Sequence, residues 1–275
     1  NECGMAAYDE ISGKGALRHV VVRTFSSGKS MVTVVTTGAL SKPERLIDLL
    51  QKNLPGFASL VHNINKAKTN VIAGEHYRTA WGDDALEEKL CGFEFSVASE
   101  SFLQVNTEQT SVLYEKAIEF AGVSKKDVVL DLYCGIGTLS LLAAKYAKEV
   151  IGIEIVQQAI ENARENAHAN DIANARFICG AAEEILPELV KKERVFPSVI
   201  ILDPPRKGCE AQAIDAIAKT GANRIVYVSC NPATLARDCA LLKNAGYELI
   251  KAQPVDMFPQ TAHVECVIGM QRKDT

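Results

Sequence analysis

From about residue 98 onward the chain alternates strand-like and helix-like patterns, and few folds accommodate that. Short β-branched runs predict strands at 128–132, 150–154, 176–178, 199–203, 224–229, 247–252 and 264–270. Amphipathic stretches at 139–146, 157–170, 182–192, 211–219 and 234–244 separate most of them. A further helix is expected over 106–121, with Asn106 as its cap and Gln109 in the capping-box position. Such alternation requires a mostly parallel sheet covered on both faces, because every parallel return needs a crossover. No helical pattern joins the last two strands, so the final strand is expected to run antiparallel. The reading is an α/β domain over 98–275, preceded by a smaller α+β domain over 1–97.

In that first domain, 17–24 and 31–36 read as a hairpin turned by Ser26, Ser27, Gly28 and Lys29. A helix is expected from a Ser41 cap to about Lys52, and short strands at 60–65, 70–73, 79–81 and 93–97. Arg18, Arg23, Lys66, Lys68 and Arg78 are either contacts for phosphates or solvated bases on strand edges. With 47% hydrophobic and 23% charged residues the chain is globular in composition. No apolar run is long enough to span a bilayer, so no membrane partner is expected. The eight cysteines are scattered, none in a C-x-x-C pair, which predicts no metal site and reduced thiols in a cytoplasmic setting. A net charge of −4 argues against a wholly basic nucleic-acid coat but not against a local basic face. The chain starts at Asn1 without an initiator methionine, and further sequence upstream is expected. Nothing in it suggests an obligate protein partner.

The chemistry-bearing residues fall where these strands end, which is where ligands bind in open α/β sheets. The strand at 224–229 stops at Cys230; Asn231 then caps a helix with Pro232 at its first position. A thiol against a helix N-terminus is expected to have a lowered pKa and to be reactive. The first strand runs into Asp131–Leu132–Tyr133–Cys134–Gly135–Ile136–Gly137–Thr138, whose glycines permit a tight turn close to a ligand. Glu154 ends the second strand, where a carboxylate can hold ribose hydroxyls. The fourth ends in Asp203–Pro204–Pro205–Arg206–Lys207–Gly208, which holds Asp203 over the sheet edge and presents a cationic pair suited to phosphates. Glu265 alternates with Val264 and Cys266 in the last strand, so burial is expected to raise its pKa towards that of a general base. His263, just before it, is expected at most to shape the turn.

Together these stretches resemble the RNA uracil-C5 methyltransferases, which make 5-methyluridine in ribosomal and transfer RNA. The resemblance rests on SFLQVN (101–106), DLYCGIGTLSL (131–141), DPPRKG (203–208), SCNPATLARD (229–238) and FPQTAHVE (258–265), in the family's order. It covers 98–275 closely and extends loosely back to about residue 8. It implies a Rossmann-like methyltransferase domain, S-adenosylmethionine as methyl donor and a covalent mechanism. Cys230 would add to C6 of a flipped-out uracil, and Glu265 would remove the C5 proton. Gln104 and Asp203 match positions between base and cofactor, Tyr133 and Glu154 positions along the adenosine half, and Phe102 a stacking position. Thr138 and Ala181 stand where some relatives hold asparagine. The resemblance makes 23S ribosomal RNA the first expected substrate and transfer RNA the alternative. The N-terminal barrel of many relatives is not in this sequence, and with Cys3 alone near the relevant region no iron–sulfur cluster is expected.

Three other readings remain open. An NAD-dependent oxidoreductase would use the glycine turn and Glu154 but gives no role to Cys230, Asp203 or Glu265. A non-catalytic RNA-binding relative would have no need of both Cys230 and Glu265. A cytosine-C5 methyltransferase commonly carries its cysteine directly after the proline of the fourth-strand motif, where this chain has Arg206.

Overall fold

The hydrophobic runs of the second half are buried on both faces, as a parallel sheet demands. In β7 (Val128–Leu132), β10 (Val199–Leu202) and β11 (Arg224–Ser229) nearly every side chain is shielded from solvent. Each aliphatic side chain so enclosed contributes roughly 1.5–3 kcal/mol by leaving water. The computed structural model describes residues 2–273. The chain divides into two compact units: one up to Lys89 together with Phe95–Ser101, the other comprising Leu90–Glu94 and the chain from Phe102 onward.

The first unit contains β1 (Leu17–Thr24), β2 (Ser30–Thr36), α1 (Pro43–Asn53), β3 (Phe57–Ile64) and β4 (His76–Gly82), with a four-stranded sheet in the order β1-β2-β3-β4. The amphipathic α1 lays Leu46, Ile47 and Leu50 against Val32, Val34 and Leu60 of that sheet. A two-stranded hairpin follows, β5 (Ala85–Leu90) with β6 (Phe93–Ala98).

Several expectations for this region are corrected. The 70–73 stretch is not a strand, because buried polar side chains take its carbonyls. Asn65 Nδ2 donates to Val71 and Ile72 carbonyls, and Arg18 Nη2 to Thr69. Ser41 does not cap α1; Lys42 holds the cap position in a left-handed conformation (φ 47°), and Pro43 begins the helix. β5 went unpredicted because Glu87–Glu88–Lys89 gives it a helical charge pattern, yet Glu88 is buried and accepts the Ser26 backbone N–H. Arg18 and Arg23 are not available for phosphates. Arg18 is buried against the carbonyls of Asn65, Ala67 and Thr69, and Arg23 donates to Ala98 and Ser101 carbonyls. Lys66, Lys68 and Arg78 are exposed.

The second unit contains α2 (Thr107–Ala121), β7, α3 (Thr138–Ala144), β8 (Glu149–Glu154), α4 (Gln157–Ala169), β9 (Ala175–Cys179), α5 (Ala182–Lys191), β10, α6 (Ala211–Thr220), β11, α7 (Pro232–Asn244), β12 (Tyr247–Val255) and β13 (Glu265–Arg272). Asn106 caps α2 by accepting the Gln109 backbone N–H at 3.2 Å. The seven strands are ordered β12-β13-β11-β10-β7-β8-β9. Six run in one direction, and β13 alone is reversed, pairing antiparallel with both β11 and β12.

This topology assembles the site. Leu202 pairs with both Leu132 and Tyr227, and Ile153 with Leu132, so Tyr133, Glu154 and Asp203 emerge at one sheet edge. Because β13 runs backwards, its first residues lie at that same edge: Cys266 pairs with Ser229, which places Glu265 beside the Cys230 turn. Strand order reverses between β7 and β10, the kind of crevice where open α/β sheets take ligands. Among the described residues, no helix is long and apolar enough to cross a membrane and no disulfide forms.

Candidate active site

A cavity of about 830 Å³ opens at this edge, and Gln104, Tyr133, Glu154, Asp203, Cys230 and Glu265 all line it. A cavity of this size is in the range that holds a small ligand or cofactor. Its floor on one side is the glycine turn. Tyr133 adopts φ 65°, Gly135 φ 53° and Gly137 φ 86°, so the chain reverses sharply between β7 and α3. The Gly135 N–H donates to Glu154 Oε2 at 3.2 Å and the Val156 N–H to Oε1 at 3.0 Å, which fixes the carboxylate across from the turn. A Cβ on Gly135 would meet nothing within 4 Å, so the backbone there faces open space. Thr138 and Ala181 also line the cavity, and Phe102 lines it while 72% exposed.

Cys230 leaves β11 half-buried, and Asn231 Oδ1 accepts the Ala233 N–H at 3.0 Å to start α7. The expected lowering of its pKa is corrected. Burial pushes the thiol up, and the Glu265 and Asp203 carboxylates push the same way, while Arg206 pulls it down. The sequence shows the helix N-terminus, but not the two acids that the folded sheet brings to it.

Glu265 is 2% exposed, and its Oε2 is buried without a hydrogen-bond partner. Burial raises its pKa to about 7 against the pull of Arg206, as the alternation in β13 predicts. Burial, then Glu265 and Asp131, raise Asp203 to about 8. Asp131, beneath the turn, reaches about 7 through burial although Ser140 donates to it. An orphaned buried carboxylate oxygen calls for an explanation, and one facing a cavity is available to a bound molecule.

Three raised carboxyls cost stability at neutral pH. Their native pKa values lie above the ordinary 3.8 and 4.5, so between about pH 4 and pH 8 the native state binds more protons than the unfolded chain. Stability therefore falls as pH rises through that window. Asp203→Asn is expected to melt above wild type at pH 8.5, with the difference shrinking towards pH 4. Thermal melts across that range check it.

The Arg206–Lys207 pair does not act as one cationic patch. Arg206 Nη2 donates to His263 Nδ1 at 2.9 Å at the cavity, while Lys207 pairs with Glu210 at 2.9 Å. The loop carrying them is bound to α7. Asn231 Nδ2 and Thr234 Oγ1 donate to the Arg206 carbonyl, both at 3.2 Å, and Arg237 Nη2 to the carbonyls of Lys207 and Cys209. Buried Asp238 accepts from the Cys209 N–H, the Tyr227 hydroxyl and Arg237 Nε. Gly208 passes between them at φ 76°, where a Cβ would lie 2.5 Å from Asp238 Oδ2. Gly208→Ala is expected to destabilise the fold by about 1–3 kcal/mol, the cost of a strained left-handed residue, read as a lower urea midpoint. Sequence reasoning missed this clamp and the buried Tyr114 on the cavity wall. The adjacent Arg237–Asp238 pair was the available signal for the clamp; Tyr114 shares an ordinary helical pattern and gave none.

Residues 44–273 match the family described as tRNA (Uracil-5-)-methyltransferase. The chain belongs to this family. Two curated relatives agree with the assignment. An uncharacterized RNA methyltransferase from Clostridium acetobutylicum is 45% identical over 275 residues, covering 99% of this chain and 60% of the relative. Another from Clostridium tetani is 47% identical over 268 residues, covering 97% and 58%. The chain thus spans about three-fifths of the length of the curated relatives it matches. Among solved structures, Pyrococcus abyssi tRNA (uracil-54, C5)-methyltransferase in complex with S-adenosyl-L-homocysteine superposes with TM-score 0.78 at 31% identity. That match covers 96% of this chain and 61% of the archaeal one.

Proposed function

We propose that this chain is the catalytic part of an S-adenosylmethionine-dependent RNA uracil-C5 methyltransferase. The observation that carries the reading is the buried, unpartnered Oε2 of Glu265 in the cavity that also holds the Cys230 thiol. The cavity's other end fits the cofactor. The open backbone at Gly135 and the fixed Glu154 carboxylate suit an adenosine with its ribose hydroxyls, with Tyr133 alongside. Gln104 and Asp203 line the same cavity, and the resemblance assigns them to the boundary between base and cofactor. When bound, S-adenosylmethionine would supply a methyl group on a sulfonium, a strong electrophile whose S–CH3 bond breaks to leave a neutral thioether.

C5 of uracil is a poor nucleophile, and Cys230 removes that obstacle. The thiol gives up its proton to solvent, and its sulfur bonds to C6. The electron pair of the C5–C6 double bond moves to an enolate, which makes C5 nucleophilic enough to accept a methyl group. C5 then carries both the methyl and its original hydrogen. Glu265, as carboxylate, takes that proton; the C5–C6 double bond re-forms, and the Cys230–C6 bond breaks to return the thiolate. Arg206 offsets the negative charge that Cys230, Glu265 and Asp203 concentrate here. A paired uridine must leave the stack to reach this cavity, and Phe102, exposed on its wall, offers a ring for the flipped base.

Ribosomal RNA is the substrate the sequence resemblance puts first, in a cytoplasmic setting. The archaeal neighbour, named for uracil 54 of transfer RNA, supports transfer RNA as the second reading. Incubating the protein with methyl-labelled S-adenosylmethionine and separate pools of undermethylated ribosomal and transfer RNA tests both, with 5-methyluridine as the expected product. Methyl-labelled cytidine, or no label in either pool, would sink the proposal.

A further inference from the structure

The reaction proposed for the cavity gives His263 no task, yet the side chain lines it. Its ring meets Phe258 edge-on, centroids 6.3 Å apart at 80°, and its backbone N–H donates to Thr261 Oγ1 at 3.2 Å. Arg206 Nη2 lies 2.9 Å from Nδ1. A guanidinium has donors and no acceptor, so in this contact Arg206 donates and Nδ1 accepts. The Arg206 carbonyl is held from the other side by Asn231 and Thr234, so the residue is tied at its backbone and at the tip of its side chain. Between those ties the guanidinium acts on Cys230 and on Glu265, favouring the charged form of each.

We propose that His263 is a positioning residue that holds the Arg206 guanidinium beside Cys230 and so sets how readily that thiol forms its nucleophilic thiolate. An arginine on an exposed loop has many rotamers, and an acceptor at its tip selects the one that serves the thiol. The proposal rests on Cys230 as the nucleophile of the proposed reaction, but its test needs no RNA.

Alkylation of Cys230 by iodoacetamide is followed in the RNA-free protein as a function of pH, by mass spectrometry of the Cys230 peptide. His263→Ala is expected to slow alkylation at pH 7.5 about three- to tenfold and move the profile to higher pH, since only the thiolate reacts. His263→Asn, whose Oδ1 replaces Nδ1 as acceptor, restores the wild-type profile. In an Arg206→Ala background, His263→Ala has no further effect, because both act through one contact. Superimposable profiles for wild type and His263→Ala, or a further equal loss in the Arg206→Ala background, would overturn the proposal. So would loss of RNA methylation in His263→Ala with unchanged alkylation, which places His263 on the substrate instead. A wild-type protein that methylates no RNA would defeat the proposed reaction while leaving the alkylation result to stand or fall separately.

Discussion

Cys230→Ala is expected to lower methyl transfer to RNA by at least about 10³-fold, the scale on which removal of a covalent nucleophile acts. The variant keeps every contact at the glycine turn and at Glu154, so its affinity for S-adenosylmethionine, measured by calorimetry, is expected to match wild type. The decisive measurement uses RNA containing 5-fluorouridine. After C6 addition and methyl transfer, C5 carries fluorine where Glu265 expects a proton, and fluorine does not leave as a cation. Wild-type protein therefore stays attached to the RNA, as a labelled complex that survives SDS. Cys230→Ala gives no such complex. A mutant that still forms it would mean another group attacks C6. Cys134, which also lines the cavity, would be the first to examine.

Much of the site was legible because its residues sit at strand ends, where a short β-branched run stops abruptly. The bounds of β7 and β11 follow from such stops, at Leu132 and Ser229. The same logic places Tyr133, Asp203 and Cys230 at one edge, and the reversed last strand brings Glu265 there. What could not be read is whatever depends on partners distant in the chain. The 70–73 stretch has strand-like residues, but Asn65 claims the carbonyls of Val71 and Ile72, and Arg18 that of Thr69 just before them. The Cys230 thiol has a helix N-terminus in its own sequence, yet Glu265 and burial decide the direction of its shift. Arg206 and Lys207 are adjacent letters with separate tasks, one turned to His263 and the other to Glu210. Asp238 is the extreme case. An acid in the middle of a helix reads as solvated, and here it is fully buried, binding the Gly208 loop to α7.

Glu265→Gln is expected to stop the reaction at a different point, after the bonds to C6 and C5 have formed. The amide keeps the size of the side chain but cannot take the C5 proton. Loss of a positioned general base slows turnover by about 10²–10⁴-fold. Unlike Cys230→Ala, this variant should retain the adduct, so an SDS-resistant complex accumulates with ordinary uridine RNA, where wild type leaves none. The pH dependence separates the two roles further. Glu265 must be ionised to act, and burial sets its pKa to about 7. Product release by wild type in single-turnover experiments is therefore expected to rise with pH through about 7 and level off above it. In Glu265→Gln that rise disappears, and the slow residual release follows hydroxide instead. Adduct formation in the mutant should still increase at higher pH, because the Cys230 thiol governs that step, but the rise should begin at lower pH than in wild type, since the Glu265 carboxylate no longer pushes the thiol up. Were Glu265→Gln to release methylated RNA at the wild-type rate, the proton would have to leave through another group. Asp203, raised to about 8 in the same cavity, would then be the candidate base.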